Sequence, residues 1–352
     1  MATIILTGGG TAGHCTPHLA LLPYLKSDFD RIYYIGSENG IEKNIIGNTD
    51  IPYFGIPCAK LKRKLCPDNF TIPFKVIKGI LAAEKLIDKL KPDVIFSKGG
   101  YVALPVVFAA NRKKIPVIAH ESDYTVGLAN RITAKYCKKV LFSFPETAKT
   151  LKNGEYVGSP IRKNLFNVKK TEALKTFGFK SEKPVLVVTG GSQGAKAVNQ
   201  TLRNSLKQLL PKYNIIHICG KGNLDKDLNY SGYFQTEYMN RIENAFAVAS
   251  ICVTRAGSNT LFELLALKIP CLLIPLPKTE SRGDQIVNAE YFQKKGLVGV
   301  LYQNAMTVDS LVLNINSVYA GRQNIIKNLD KHPIKDASRQ ISRIICDAAF
   351  KE

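Results

Sequence analysis

The segment 252–265, CVTRAGSNTLFELL, combines residue types that could bind a phosphorylated ligand. It passes from an apolar, strand-like stretch into a helix-like pattern, and a helix that begins there presents backbone N–H groups and a positive dipole end to an anion. Gly257 permits a close approach, and three polar side chains follow it: Ser258, Asn259 and Thr260. Glu263, about one turn further, could accept two hydroxyl groups of a ribose. An ordinary strand–turn–helix corner with a solvated Glu263 explains the same residues.

A glycine-rich loop, Gly8–Gly13, follows the first apolar stretch and has the spacing G-x-G-x-x-G. Dinucleotide-binding loops have this spacing, and Glu38 after the second strand would be the corresponding ribose acceptor. The loop provides backbone N–H groups for a phosphate. His14 comes next, and because the ordinary pKa of histidine lies near neutral pH, it is a candidate general base. The alternative is that His14 only caps the loop.

Three further segments carry groups suited to a sugar diphosphate. A second glycine loop, Gly190–Ala195, places Ser192 where it could reach a diphosphate, and Arg162 could neutralise a phosphate from the hinge between the two halves of the chain. Gln285 and Asn288 belong to a helix start whose amides suit sugar hydroxyls. A surface charge at Arg162 and a polar helix face at the two amides are the alternative explanations.

These residues lie at the ends of apolar stretches in a strand–helix alternation that occurs twice. The first series of strands is expected at 3–7, 31–35, 94–97, 117–119 and 140–144, and the second at 184–189, 215–219, 251–254 and 271–275. Strands separated by helices favour parallel sheets, and ligands bind at the carboxyl ends of such strands. We therefore predict an α/β protein with two Rossmann-like domains that face each other across a cleft.

The predicted domain boundaries follow from a hinge with Gly and Pro and from a polar linker. Residues 1–162 form an N-terminal domain, residues 163–336 a C-terminal domain, and 337–352 an amphipathic helix that is expected to return to the N-terminal domain. A length of 352 residues with 45% hydrophobic content agrees with two globular domains.

The composition excludes several classes of protein. No apolar run reaches about 18 residues, so no transmembrane helix is expected, and the start of the chain lacks the basic region of a secretory signal. The eight cysteines are scattered without a C-x-x-C pair and are interpreted as reduced thiols of a cytosolic protein. Pro17 interrupts the pair formed by His14 and His18, so no metal site is expected there. No cofactor is expected either.

The formal net charge of +21 predicts an anionic partner. Zinc-finger spacing and RNA-recognition signatures are missing from the sequence, so no nucleic acid is expected. Residues 51–91 instead mix apolar residues with lysine and arginine, which suits an anionic membrane surface. The basic residues of this window include Lys60, Lys62, Arg63, Lys64, Lys75 and Lys78. A core helix with a solvated basic face, or a lysine-rich proteome, are the alternatives.

Taken together, the motifs resemble the MurG family of UDP-N-acetylglucosamine:lipid I N-acetylglucosaminyltransferases, which have a two-domain GT-B fold. The matching segments occur in the family's order: GGGTAGH (8–14), SKGGYVALP (97–105), HESDYTVGLANRITAK (120–135), VGSPIR (157–162), VLVVTGGSQGAKAVNQ (185–200), TRAGSNTLFELLALKIPCLLIPLP (254–277) and RGDQIVNA (282–289). The chain departs from the family at Ala12, which replaces a glycine, and at Asp123, which replaces an asparagine.

The resemblance implies that the C-terminal domain binds UDP-N-acetylglucosamine (UDP-GlcNAc). Backbone around Met239 would face the uracil and Glu263 would hold the ribose. The diphosphate would lie against Ser192, Arg162 and the helix start 257–260. Gln285 and Asn288 would contact the sugar.

The resemblance also implies that the N-terminal domain binds lipid I, the undecaprenyl-linked acceptor. Thr11, Ala12 and Gly13 would hold its pyrophosphate, Asp123 would lie near the acceptor or the sugar, and His14 would take the proton of the attacking hydroxyl. Attack would invert the anomeric carbon and give lipid II, with fixed dipoles and Arg162 stabilising the departing UDP without a metal. The protein would then act in peptidoglycan biosynthesis as a peripheral protein on the cytoplasmic face of the cell membrane.

Other functions remain open from the residues alone. A related transferase could use another lipid acceptor. An NAD-dependent oxidoreductase would account for the first glycine loop but leaves 254–288 unexplained. A basic nucleic-acid or membrane-binding module without catalysis would account for the charge but not for two phosphate loops.

Overall fold

The structure is a computed structural model that describes residues 1–59, 72–179, 182–191 and 194–350. The chain divides into two compact units, Met1–Arg162 with Lys335–Glu352, and Lys163–Ile334. The second unit ends at Ile334 rather than at the expected residue 336. Asp336 instead belongs to the first unit, where its Oδ1 accepts a hydrogen bond from the Ile161 amide at 2.9 Å.

Each unit is built on a parallel sheet. The first sheet contains β1 (Thr3–Thr7), β2 (Arg31–Ser37), β3 (Tyr53–Ile56), β4 (Val94–Ser97), β5 (Val117–Glu121), β6 (Lys139–Phe142) and β7 (Gly154–Tyr156) in the order β3-β2-β1-β4-β5-β6-β7. The second contains β8 (Val185–Thr189), β9 (Asn214–Ile218), β10 (Tyr233–Thr236), β11 (Ala249–Thr254), β12 (Cys271–Leu273) and β13 (Gly299–Val300) in the order β10-β9-β8-β11-β12-β13. All the described strand pairs are parallel.

Helices connect the strands and cover the sheets. They are α1 (Thr16–Asp28), α2 (Ile41–Gly47), α3 (Ile72–Leu90), α4 (Ala103–Arg112), α5 (Leu128–Thr133), α6 (Pro145–Ala148), α7 (Lys170–Lys175), α8 (Lys196–Leu209), α9 (Ile242–Val248), α10 (Ser258–Ala266), α11 (Asp284–Lys294), α12 (Val308–Ala320), α13 (Arg322–Lys331) and α14 (Ser338–Phe350). Among the described residues, no helix combines the length and the apolar character needed to cross a bilayer.

The central strands are apolar on both faces because helices cover both sides of each sheet. Every residue of β1 and of β8 is buried. In the first unit, α14 contributes to the core beneath α1, where Ile341 and Ile345 are fully buried in one cluster with Leu21 and Leu25. These features confirm the predicted α/β class with two Rossmann-like units.

The strand order places a crevice in each unit at the carboxyl edge of its sheet. In the first sheet the order changes direction between β1 and β4, and in the second between β8 and β11. Loops that leave two such strands diverge, and ligands of doubly wound sheets bind between them. The relevant loops are 8–13 and 98–102 in the first unit, and 190–195 and 255–257 in the second.

Candidate active site

His14 lies at the crevice of the first unit, at the end of the loop that leaves β1. The ring nitrogen Nδ1 is 3.1 Å from the carbonyl oxygen of Gly9 and 3.0 Å from Oγ1 of Thr11. Because a carbonyl oxygen can only accept, the contact with Gly9 requires a proton on Nδ1. The neutral ring therefore has its proton-accepting nitrogen at Nε2, which is the arrangement that a general base requires. The 3₁₀ turn Ala12–His14 holds this end of the loop, in which Thr11 and Gly13 are exposed.

A buried carboxylate on α2 supports the same loop from below. Glu42 is fully buried and accepts hydrogen bonds from the amide of Gly10 at 3.1 Å, from the amide of Ser37 at 3.0 Å and from Oγ of Ser37. Glu38, the expected ribose acceptor of a dinucleotide fold, is exposed on the surface. The glycine loop is therefore shaped by an internal acid at position 42.

The loop after β4 closes the other side of this crevice. Gly100 has a φ of +79°, and a Cβ built there would lie 2.3 Å from the oxygen of Gly9 and 3.1 Å from Nδ1 of His14. A side chain at position 100 would thus displace the group that orients His14. The two glycine segments can approach each other this closely only without side chains.

The loop after β5 carries Asp123 and is held in place by Glu121, the last residue of that strand. The buried Glu121 accepts hydrogen bonds from the amide of Asp123 at 3.2 Å, from the amide of Gly127 at 2.8 Å and from Nδ2 of Asn130 at 2.9 Å. Asp123 itself is half-buried at the same edge of the sheet.

Lys98 lies between these loops, directly after β4. Its Nζ is 2.6 Å from Nδ1 of His120 and 2.6 Å from Oγ of Ser122. Burial lowers the pKa of Lys98 to about 7, although the carboxylates of Glu121 and Asp123 favour its charged form.

The crevice of the second unit is formed by the start of α10. Gly257 is the N-cap residue of the helix, with an ordinary φ of −70°, and as a glycine it provides no side-chain cap. A Cβ at Gly257 would meet nothing within 4 Å, so there is open space above the helix start. Ser258 is buried, whereas Asn259 and Thr260 are half-buried. One turn further, the carboxylate residue Glu263 is 7% exposed.

The two predicted sugar-binding amides brace the loops around α10. Oε1 of Gln285 accepts a hydrogen bond from the amide of Leu276 at 3.1 Å, and Nδ2 of Asn288 donates to the carbonyl oxygen of Ala256 at 3.2 Å. Gln285 is half-buried and keeps an accessible part, but Asn288 is fully buried. Asn288 therefore supports the loop before α10, and its contact with the sugar stays a prediction.

Arg255 is a further support that the motif analysis did not single out. Its guanidinium donates from Nη1 to the carbonyl oxygen of Ile274 at 3.1 Å and from Nη2 to Oε1 of Gln303 at 2.6 Å. Burial lowers its pKa, while the charge of Glu280 opposes this shift. Arg255 thus ties the loop after β11 to the loop after β12.

Two of the three remaining predicted residues belong to the described part of the chain. Met239 is half-buried in the loop after β10, and Arg162 is half-buried at the last position of the first unit before the chain crosses over. Ser192 lies outside the described residues.

Comparison with known proteins identifies the family. The sequence profile of the glycosyltransferase family 28 N-terminal domain matches residues 4–142, and that of the family 28 C-terminal domain matches residues 185–342. The chain belongs to glycosyltransferase family 28. The resemblance noted from the motifs is confirmed, and the chain is a transferase.

Two named relatives are similar to this chain over almost its whole length. A protein of Clostridium botulinum (strain Langeland) is 48% identical over 349 residues, which cover 98% of this chain and 99% of that protein. One of Bacillus thuringiensis (strain Al Hakam) is 46% identical over 352 residues, covering 99% and 100%. Both are named UDP-N-acetylglucosamine--N-acetylmuramyl-(pentapeptide) pyrophosphoryl-undecaprenol N-acetylglucosamine transferase, the second with the number 3.

Solved structures show the same fold. The crystal structure of Acinetobacter baumannii MurG has a TM-score of 0.75 at 24% identity and covers 98% of this chain and 99% of its own. The calicheamicin glycosyltransferase CalG4 has a TM-score of 0.67 at 13% identity, covering 99% and 95%. The fold of this family 28 member is therefore that of GT-B glycosyltransferases.

Three residues that support the loops of the candidate site were not identified from the motifs: Glu42, Lys98 and Arg255. All three are ionisable and buried. Lys98 and Arg255 stand next to recognised glycine motifs, and this position in the sequence could have indicated them. Glu42 lies 29 residues after the loop it supports, and only the pairing of β1 with β2 brings it there.

Proposed function

We propose that this chain transfers N-acetylglucosamine from UDP-GlcNAc to the muramyl sugar of lipid I, with inversion at the anomeric carbon, and gives lipid II for peptidoglycan. The observation that carries the proposal is the 48% identity, over almost the full length of both chains, to a transferase with that name. The oxidoreductase and the non-catalytic module lose their support, because neither accounts for a family 28 profile in both units.

The donor is proposed to bind in the second unit, at the crevice between β8 and β11. The start of α10 has a glycine at its N-cap and open space above Gly257, which suits the diphosphate. Glu263, buried one turn further, would accept the ribose hydroxyls. Met239 would lie at the uracil and Gln285 at the sugar, and Arg162 and Ser192 would complete the diphosphate contacts.

The acceptor is proposed to bind in the first unit. The backbone of Thr11, Ala12 and Gly13 would receive the pyrophosphate, because exposed loop amides donate well to phosphate oxygens. Nε2 of His14 would accept the proton of the attacking sugar hydroxyl, since Nδ1 is committed to the carbonyl of Gly9. Asp123 would contact the acceptor from the loop after β5.

The protein is further proposed to bind the cytoplasmic face of the cell membrane through α3. Three large apolar side chains are exposed on one face of this helix: Phe74 (69%), Ile77 (55%) and Leu81 (49%). Gly79 and Ala83, on the opposite face, are buried. Lys75, Lys78 and Lys85 on the same helix could contact anionic lipid headgroups, each contributing roughly 1 kcal/mol near such a surface. The other basic residues of the predicted patch, Lys60, Lys62, Arg63 and Lys64, lie outside the described residues.

Transfer of radiolabelled GlcNAc tests the activity directly. The full chain would be incubated with labelled UDP-GlcNAc and a short-chain lipid I analogue, and the product separated by chromatography. We expect a β-linked disaccharide product and one UDP released for each GlcNAc transferred. UDP-glucose is the control donor, and a prenyl diphosphate that carries GlcNAc in place of the muramyl sugar is the control acceptor. Transfer only to the control acceptor would establish the alternative transferase, and lack of transfer to either would refute the proposal.

A further inference from the structure

A lysine ammonium is enclosed beneath the acceptor crevice of the first unit. Lys98 is 2% exposed, and its backbone amide donates to the carbonyl oxygen of Thr7 at 2.9 Å, immediately before the glycine loop. Its Nζ reaches across to β5 and to the following loop, where it contacts His120 and Ser122 at 2.6 Å each. A positive charge at this position lies beside the loop after β5 that carries Asp123, on a residue whose backbone is bonded to the strand that leads into the glycine loop.

The hydrogen-bond partners of this ammonium in the described structure are neutral. Nε2 of His120 is 2.9 Å from the carbonyl oxygen of Gly158, which can only accept, so Nε2 carries the proton and Nδ1 presents a lone pair to Lys98. Burial, with the charge of Lys98 as the second cause, lowers the pKa of His120 well below its ordinary value. His120 is therefore an acceptor for Lys98 and carries no charge.

Four ionisable side chains in the described structure interact with Lys98. Glu121 on β5 and Asp123 in the next loop favour its charged form. His120 on β5 and His18 on α1 are neutral, since burial lowers the pKa of His18 to about 3. Burial outweighs the two carboxylates and lowers the pKa of Lys98 to about 7, so a modest change in the surrounding charge changes its protonation near neutral pH.

We propose that Lys98 is a positioning residue that couples proton uptake to binding of the diphosphate acceptor in the first unit. The inference rests on the proposed function, because it requires an anionic acceptor at the glycine loop. An anion bound there favours the ammonium over the amine, and by reciprocity the protonated protein binds the acceptor more tightly. The contacts to His120 and Ser122 persist in the amine, which keeps two N–H groups. What changes is the charge beside Asp123.

Calorimetry on the wild-type protein tests the coupling without any substitution. A short-chain lipid I analogue would be titrated into the full chain at pH 7.5 in HEPES and in Tris, whose ionisation enthalpies differ. Its diphosphate is substituted at both ends and has no proton to exchange near this pH. We expect uptake of about half a proton per acceptor bound at pH 7.5, and almost none at pH 6, where Lys98 is already charged.

Substitutions at two lysines then identify the residue that takes up the proton. Lys98→Met keeps the length of the side chain and removes its charge. We expect it to abolish the uptake, to raise the acceptor KM roughly 10-fold at pH 6.5, and to remove the increase of acceptor KM between pH 6.5 and 8.5. The KM for UDP-GlcNAc should stay unchanged. Lys113→Met, which removes a lysine from the surface ion pair with Asp88, is the matched control and should behave as wild type.

The outcomes separate this inference from the proposed function. Acceptor binding with the same heat in both buffers would overturn the inference and leave the transferase assignment intact. Uptake that persists in Lys98→Met but disappears in His14→Asn would assign the proton to His14 and also overturn it. Absence of acceptor binding, shown by both the calorimetric titration and the transfer assay, would overturn both. If Lys98→Met fails to fold, the wild-type buffer comparison and the His14→Asn variant still decide.

Discussion

Nδ1 of His14 lies 3.1 Å from the carbonyl oxygen of Gly9. This contact orients the ring with Nε2 as its basic nitrogen, so replacement of His14 should affect the chemical step and leave donor binding intact. We expect His14→Asn to lower kcat by 10²–10⁴-fold, the range typical of a lost general base. Labelled transfer and calorimetry with UDP measure the two effects. His332→Gln, at an exposed histidine of the second unit, is the control. A kcat within a few-fold of wild type would assign the proton transfer to another group.

Glu263 should determine the affinity for the donor. Glu263→Gln keeps the shape of this buried side chain but weakens its hydrogen bonds to ribose hydroxyls, each charge-assisted bond contributing about 1.5–3 kcal/mol. Calorimetry should show roughly 10- to 150-fold weaker binding of UDP-GlcNAc. Glu172→Gln on the surface of the same unit is the matched control. Unchanged affinity in a folded Glu263→Gln protein would show that the ribose binds elsewhere.

Glu42 should be required for the shape of the acceptor loop. In Glu42→Gln an NH₂ group would replace one of the two oxygens that accept from Gly10 and Ser37. We expect a loss of about 1–3 kcal/mol in the free energy of unfolding and a higher acceptor KM, with unchanged UDP binding. Urea unfolding and steady-state kinetics measure these. Glu38→Gln, at the exposed acid four residues earlier, should have neither effect; an equal effect at both positions would contradict the role of Glu42.

The apolar face of α3 should bind anionic membranes. Substitution of Phe74, Ile77 and Leu81 by Ser removes exposed apolar surface, so the fold should tolerate it. We expect at least a roughly 10-fold loss of cosedimentation with vesicles that contain phosphatidylglycerol, since each buried side chain of this size contributes about 1.5–3 kcal/mol. Transfer to a short-chain acceptor should persist. Leu313→Ser, at an equally exposed leucine on α12, is the control, and vesicle binding equal to wild type in the triple variant would place the membrane contact elsewhere.

Buried neutral histidines should make the protein sensitive to acid. Burial lowers the pKa of His18 and of His217 to about 3, so between pH 6.5 and 3 the unfolded chain binds protons that the folded chain does not. The free energy of unfolding therefore falls as the pH is lowered, by up to about 1.4 kcal/mol per pH unit for each group. Calorimetric Tm values from pH 7.5 to 4.5 should decrease with acidification, less steeply in His217→Gln than in the His332→Gln control. A Tm that is independent of pH would contradict this.

The fold could be predicted because its signals are local in sequence. Apolar strand runs and the glycine loops 8–13 and 190–195 follow from neighbouring residues, and both sheets have the predicted parallel strands. The four edge strands β3, β7, β10 and β13 were not predicted. The edge strands are only two to four residues long, which leaves too few positions for a periodic pattern.

The candidate site could be predicted less completely, because its supports depend on tertiary contacts. The residues that would face a ligand belong to recognisable motifs, and their roles stay predictions. The supporting contacts could not be predicted, because only the strand order brings Glu42 to the glycine loop and Lys98 to His120 and Ser122. Asn288 is an amide of a type suited to a sugar, and the structure shows it fully buried and bonded to Ala256, which the sequence did not indicate. A sequence pattern identifies the type of a side chain, whereas burial decides whether a ligand can reach it.

The position of α14 has a consequence for biosynthesis. Ile341 and Ile345 complete the core beneath α1, yet the ribosome makes them more than 300 residues later. The core of the first unit therefore stays incompletely packed while the second unit is translated, and the second unit can fold first. Nascent chains arrested before residue 338 should remain protease-sensitive in residues 1–162, which reverses the usual vectorial order of multidomain folding.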